Sequence, residues 1–155
     1  MTGYQQSRFL HPSGIVSYAV LRPPSLNASC KVVKQKLPII LSLHGAGVEA
    51  DSPQNKESYD GLPDLCAWVV LPSGGTTWSG DDWRTFHIIL PFISFGDADQ
   101  TTDRWGFSDV EAAIAAIPQW MKKVNWMRQG VALDKWVVSG HSNGGQGAWY
   151  ALTHR

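Results

Sequence analysis

The sequence KWVVSGHSNGGQGAWYALTHR, residues 135–155, carries the strongest structural signal in the chain. It opens with a short apolar run that is rich in β-branched residues and predicts a buried strand. The next five residues, GHSNG at 140–144, fit the pattern G-x-S-x-G, and the residues after them predict a helix. In such a turn the serine hydroxyl is exposed at the end of the strand, and the glycines prevent collisions between strand and helix. Ser142 is therefore a candidate nucleophile.

Glycine-rich turns between a strand and a helix also occur in nucleotide-binding proteins, which is the alternative interpretation. Those proteins bind phosphates with G-x-G-x-x-G or G-x-x-x-x-G-K-[ST], and neither pattern occurs in the chain. The segment SGGT at 73–76 is the nearest candidate, but the residues after it, TWSGDDW at 77–83, do not predict a helix. The nucleophile interpretation is favoured.

Three further runs upstream predict strands, because each is short, apolar and bounded by Gly or Pro. They are GIVSYAVL at 14–21, PIILSL at 38–43 and AWVVL at 67–71. Continuous apolar runs are typical of strands in a parallel sheet that is covered on both faces. We therefore expect an α/β fold with a mostly parallel sheet and helices on both faces.

A helix is predicted between the last two of the four strands. Ser108 and Glu111 have the spacing of a capping box, which would begin the helix at that point. Apolar residues then recur at helical spacing, so one face of the helix should be buried. These residues are Val110, Ala113, Ile114, Ile117 and Met121. Pro118 interrupts the pattern and predicts a kink or two separate helices.

Attack on an acyl carbon places negative charge on its carbonyl oxygen, which preorganised N–H donors must bind. The backbone N–H of Asn143, directly after the serine, is one candidate donor. The second should come from a loop after an earlier strand, and His44-Gly45-Ala46-Gly47 follows the run at 38–43. Ala46 or Gly47 is the expected donor there. We interpret His44 as a residue that orders this loop and transfers no proton.

LHGAG at 43–47 and GHSNGG at 140–145 together resemble the α/β-hydrolase superfamily. The longer segment KWVVSGHSNGGQGAWYALTHR resembles prolyl oligopeptidase-type serine peptidases and esterases of the polyhydroxybutyrate-depolymerase type. The resemblance covers residues 13–155. It implies Ser142 as the nucleophile, with Asn143 and Ala46 or Gly47 as oxyanion donors. It also implies an Asp and a His that follow the serine in chain order.

The chain departs from this pattern after Ser142. No Asp or Glu follows the serine, and His154 is the one downstream histidine. At a rise of about 1.5 Å per helical residue, His154 would lie roughly 18 Å from Ser142, too far for a hydrogen bond. We therefore expect residues 1–155 to be the N-terminal part of a single catalytic domain, truncated at its C-terminus and inactive alone.

Residues 84–103 are a second departure, because the resembled proteins connect the flanking segments almost directly. An apolar lid over the active site, an extra strand with its loop, and a translated intron are the three interpretations of this insertion. The intron is favoured.

The resemblance implies a serine hydrolase that acts on a small peptide or ester substrate, with a peptidase of prolyl oligopeptidase type expected first. A carboxylic ester hydrolase and a catalytically incomplete fragment are the alternatives. Neither a metal nor an organic cofactor is expected.

Composition excludes several other classes of function. The 13 basic and 13 acidic residues cancel, and they form no long run of one sign, so no nucleic-acid surface is predicted. No membrane partner is expected, because no stretch of about 18 apolar residues occurs. The first residues lack the pattern of a signal peptide. Localisation and oligomeric state stay open, and Cys30 and Cys66 could either pair or remain thiols.

Overall fold

The fold is described from a computed structural model that covers residues 3–12, 14–25, 36–74, 105–126 and 130–153. The suggested insertion at 84–103 and the residues Cys30, His87 and His154 lie outside these ranges. Cys66 is disulfide-bonded. Among the described helices, none is long and apolar enough to cross a bilayer.

The described residues form five strands and three helices. In chain order they are β1 (Gln5–Leu10), β2 (Val16–Arg22), β3 (Leu37–Leu43), α1 (Pro53–Asp60), β4 (Trp68–Pro72), α2 (Trp105–Lys123), β5 (Val131–Gly140) and α3 (Asn143–Thr153). The four predicted strands correspond to β2, β3, β4 and β5, and the two predicted helices correspond to α2 and α3. The sequence had indicated neither β1 nor α1.

All five strands belong to one mixed sheet with the order β1-β2-β4-β3-β5. The pairs β3–β4 and β3–β5 are parallel, whereas β1–β2 and β2–β4 are antiparallel. The expected parallel arrangement therefore holds for β3, β4 and β5, and it is wrong for β2. The antiparallel pairing of β2 with β1 has a local cause in the tight turn between them, where His11 N–H bonds Ile15 O at 2.8 Å and Gly14 has a φ of 86°. Such a short connection can join only antiparallel strands.

Apolar side chains pack on both faces of the sheet. On one face, Ile39, Leu41 and Trp68 lie in a cluster with the apolar side of α2. On the other face, Val69 and Leu71 pack with Tyr59 of α1. The predicted stripe of α2 is confirmed, since all five of its residues are buried. The described helices thus cover both faces, and the carboxyl ends of β3, β4 and β5 lie along one edge.

Helix α2 begins earlier than the sequence predicted. It starts at Trp105, so Ser108 and Glu111 lie inside the helix and the expected capping box is wrong. Tertiary contacts override the local signal there, because Gly106 and Asp109 are buried and Asp109 bonds the backbone after β4. The helix also continues through Pro118 to Lys123 as one element, so the expected division into two helices is wrong.

Strand β5 forms one end of the described sheet and is largely exposed. Val137 at its centre is 56% exposed. An apolar edge strand is a site where chains associate. We therefore expect the unmodified chain to self-associate as its concentration rises. Val137→Lys should self-associate less, so its average mass in sedimentation velocity should be lower than that of the unmodified chain at the same concentration.

Ile15→Lys is the matched control for this variant. Ile15 is 53% exposed and equally aliphatic, but it lies in the β1–β2 turn, far from β5 in the sheet. An equal effect of both substitutions would show that added charge, and not the edge of β5, controls self-association.

Candidate active site

Ser142 lies in the turn between β5 and α3 with a φ of 56°. This left-handed conformation is uncommon for a residue other than glycine, and it is strained by about 1 kcal/mol or more. The turn is closed by hydrogen bonds to two carbonyls: Gly144 N–H bonds His141 O at 2.9 Å, and Gly145 N–H bonds Ser142 O at 2.9 Å. The Ser142 residue is exposed. The backbone thus presents this hydroxyl at the carboxyl edge of the sheet.

Two glycines of the motif allow the close approach of three segments at this turn. A Cβ atom built on Gly140 would overlap the carbonyl of Gly144, at the start of α3. A Cβ atom built on Gly144 would overlap the carbonyl of Leu43, at the end of β3. The glycines therefore have the steric role that the sequence pattern suggested, and they bring the serine turn against the end of β3.

The 44–47 loop (His44, Gly45, Ala46 and Gly47) lies beside the serine turn. A Cβ atom on Gly45 would be 3.5 Å from the Cβ atom of Ser142, so the two residues are neighbours. Ala46 and Gly47 are exposed, and within the described part of the chain their amides bond no other residue. Asn143 follows Ser142 directly and is the first residue of α3. The amides expected to bind an oxyanion therefore lie in segments that meet at Ser142.

His44 connects the 44–47 loop to the residues after β4. Its ring nitrogens lie 2.9 Å from the carbonyl oxygen of Gly45 and 2.8 Å from that of Ser73. A carbonyl oxygen only accepts and a neutral imidazole has one N–H group, so the ring donates to one of these two carbonyls, according to its tautomer. These contacts agree with the loop-ordering role that we inferred for His44.

No general base contacts the serine in the described ranges, where Ser142 Oγ has no hydrogen-bond partner. His11 is buried in the β1–β2 turn, and His44 is held by the two carbonyls. His141 is adjacent to Ser142 in the chain. The same ranges contain no group of His, Cys, Asp and Glu residues that could hold a metal ion.

A cleft of about 860 Å³ opens next to the serine turn. Its wall includes Gly45 and Gly47 of the loop, His141 of the turn, and the first residues of α1. Glu49 and Asp51 also line it. The cleft is large enough for part of a small organic substrate.

No protein-family model matches the chain. A curated relative, an uncharacterised secreted protein from Arthroderma benhamiae, is 40% identical over 150 residues, which are 97% of this chain. The chain spans 14% of that relative's length. Among solved structures, a bacterial heroin esterase superposes on 95% of this chain and 37% of its own, with a TM-score of 0.55 and 16% identity. The chain has the α/β-hydrolase fold.

An S-formylglutathione hydrolase from Staphylococcus aureus also matches, with a TM-score of 0.48 and 13% identity over 95% of this chain and 50% of its own. The finer resemblance, to prolyl oligopeptidase-type peptidases and polyhydroxybutyrate depolymerases, stays a prediction. The roles of Ser142, Asn143, Ala46 and Gly47 and the expected C-terminal truncation also stay predictions.

The sequence analysis did not single out Asp109, which lies between the two residues of the expected capping box. This carboxyl group is fully buried on α2. Its Oδ2 atom accepts a hydrogen bond from Gly74 N–H at 2.9 Å and a longer one from Ser73 Oγ at 3.5 Å. Asp109 directly precedes Val110, the first residue of the apolar stripe of α2. This position beside the buried face of a helix is the sequence feature that could have indicated a buried carboxyl group.

Burial raises the pKa of the Asp109 carboxyl. Hydrogen bonds from Ser17, Gly74 and Ser73 act in the opposite direction, as does the charge of His11, but they offset the burial only in part. Desolvation therefore dominates the electrostatics of this group.

Proposed function

We propose that this chain carries the nucleophile and the oxyanion donors of a carboxylic ester hydrolase. Ser142 attacks the ester carbonyl, and the amides of Asn143 and of Ala46 or Gly47 bind the resulting oxyanion. One observation carries the proposal: the strained turn holds Ser142 exposed beside a loop in which the amides of Ala46 and Gly47 bond no other described residue.

The reaction requires a base for the serine proton. A histidine is the usual base, and it must accept the Ser142 Oγ proton as the bond to the acyl carbon forms. The same proton then leaves with the alcohol as the ester bond breaks. Water hydrolyses the acyl-serine through the same base, which regenerates the hydroxyl and releases the acid.

Esters are favoured over peptides as substrates for a chemical reason. A peptide releases an amine, which must be protonated by the catalytic histidine before it can leave. An ester releases an alcohol, which is a better leaving group and depends less on that step. The similarity to the bacterial heroin esterase supports the same choice. A peptidase of prolyl oligopeptidase type is the second candidate, and it is supported by the sequence resemblance.

Labelling with a fluorophosphonate tests the proposal. Such a probe phosphonylates an activated serine with loss of fluoride, and intact-mass analysis counts the adducts. We expect no adduct on this chain in plain buffer. With excess imidazole as an external base, we expect one adduct, and Ser142→Ala should abolish it.

Ser139→Ala is the matched control, since Ser139 is also exposed and lies three residues upstream. Its labelling should equal that of the unmodified chain. An adduct without imidazole would show that the chain or its partner copy contains the base. An adduct that persists in Ser142→Ala, or none under either condition, would exclude Ser142 as the nucleophile.

A further inference from the structure

Asp109 is a buried carboxyl group that the proposed reaction does not use. It is fully buried, and within the described ranges it forms no salt bridge with Lys or Arg. Its Oδ1 atom is also buried without a hydrogen-bond partner in those ranges. Removing a carboxylate from water is costly, so burial of Asp109 suggests a role beyond packing.

A continuous series of contacts connects Asp109 to the 44–47 loop. Asp109 Oδ2 accepts the hydrogen bond from Gly74 N–H at 2.9 Å, which fixes the backbone directly after β4. The preceding carbonyl, that of Ser73, accepts a hydrogen bond from Nε2 of His44 at 2.8 Å. The bond between Asp109 and Gly74 therefore sets the position of the carbonyl that holds the His44 ring.

The second half of the series lies within the loop itself. The other ring nitrogen of His44 is 2.9 Å from the carbonyl oxygen of Gly45. That oxygen accepts the hydrogen bond from Val48 N–H at 3.2 Å, which closes the loop. Gly45 in turn is the residue that borders Ser142.

We infer that Asp109 is a positioning residue, which fixes the 44–47 loop beside Ser142 through the Ser73-Gly74 backbone and the His44 ring. Two hydrogen bonds separate its carboxylate from His44, the first residue of the loop. The catalytic meaning of this inference rests on the proposed function, because the loop matters only if its amides bind an oxyanion. The series of contacts from Asp109 to the 44–47 loop exists whether or not the loop binds an oxyanion.

A purely structural role is the alternative. In that case Asp109 would tie α2 to the end of β4, and its removal would loosen Gly74 or the whole fold. It would have no selective effect on the 44–47 loop. The amide of Val48 distinguishes the two roles, because it reports the closure of the loop and lies far from Asp109 along the series.

Amide hydrogen exchange, measured by NMR at neutral pH on the 155-residue chain, is the test. Asp109→Asn keeps the shape of the side chain but removes its charge. We expect exchange at Gly74 and Val48 to rise about tenfold, because a hydrogen bond to a charged group is roughly twice as strong as a neutral one. Exchange at Val70, in the centre of β4, should not change.

Glu111→Gln is the matched control, because Glu111 is exposed on the same helix. It should leave all three amides unchanged. A rise at Gly74 without a rise at Val48 would overturn the inference, and so would an equal rise at Gly74, Val48 and Val70. Because none of these readouts involves reaction at Ser142, failure here is distinct from failure of the proposed function.

A titration of the unmodified chain keeps the inference testable if Asp109→Asn does not fold. The chemical shifts of the Gly74 and Gly45 amides should share an acid titration step. The groups that face Asp109 are Ser17, Ser73, Gly74 and His11, with Tyr18 further off. Glu49 and Asp51 lie near the loop, so the step at Gly45 must have the same midpoint as the step at Gly74. A step at Gly74 that is absent from Gly45, or no step at either, would overturn the inference.

Discussion

Gly144→Ala is expected to lower the free energy of unfolding by about 3 kcal/mol or to prevent folding, because the added methyl group has no room in a closely packed site. The added Cβ atom would overlap the carbonyl oxygen of Leu43 at the end of β3, and it would also approach the carbonyl of His44. Both obstacles are backbone atoms, which cannot rotate away as a side chain can. Urea unfolding followed by circular dichroism measures the loss.

Gly145→Ala is the control for this prediction, one residue further along α3. A Cβ atom there would meet only the carbonyl oxygen of Gly140, at an ordinary contact distance of 3.6 Å. Because alanine is the better helix former by about 1 kcal/mol, this variant should be as stable as the unmodified chain or slightly more stable. Equal stability of Gly144→Ala and Gly145→Ala would contradict the packing described for the serine turn.

The serine turn was predictable from sequence because its constraints are local. A sharp turn between a strand and a helix needs glycine where segments approach, and the spacing of Gly140 and Gly144 around Ser142 records that need. The 44–47 loop was predictable for a similar reason, since small residues directly follow an apolar strand. The proximity of these two segments follows from the parallel pairing of β3 and β5. The continuous apolar runs predicted a parallel sheet, but they did not identify β3 and β5 as neighbours.

The missed elements lack such local signals. Helix α1 is short and mostly polar, and only Tyr59 is buried, so no helical stripe marks it. Strand β1 has one buried residue, Phe9, and is held mainly by its pairing with β2. The start of α2 was misplaced because buried Gly106 and Asp109 extend the helix beyond the local capping pattern. In each case contacts distant in sequence determine the structure.

The connection from Asp109 to the loop could not be read from sequence for the same reason. Its members lie on α2, after β4 and after β3, and backbone groups of Ser73, Gly74 and Gly45 form most of it. Every residue type has a backbone carbonyl, and every type except proline has a backbone N–H, so the sequence does not indicate which of these groups form the hydrogen bonds. Only the folded arrangement shows that a buried carboxylate and a loop beside Ser142 share one series of hydrogen bonds.

Asp109→Asn is expected to stabilise the fold at neutral pH while it loosens the 44–47 loop. Burial raises the pKa of the Asp109 carboxyl above its unfolded value. Between those two pKa values the folded chain binds more protons than the unfolded chain. The free energy of unfolding therefore falls as pH rises through that window, by at most about 1.4 kcal/mol per pH unit for one proton. Above the window the cost of the buried charge is complete, and below it the cost is absent.

Urea unfolding at a series of pH values measures this difference. Asp109→Asn should be more stable than the unmodified chain near pH 7, and the two should converge in acid. Other carboxyl groups titrate in both proteins, so the difference isolates Asp109. Glu111→Gln should follow the unmodified chain throughout. If Asp109→Asn were instead less stable at pH 7, the ionised carboxylate would stabilise the fold. If Asp109→Asn has a more stable fold and a looser 44–47 loop, the ionised Asp109 lowers the stability of the unmodified chain while it holds the loop in place beside Ser142.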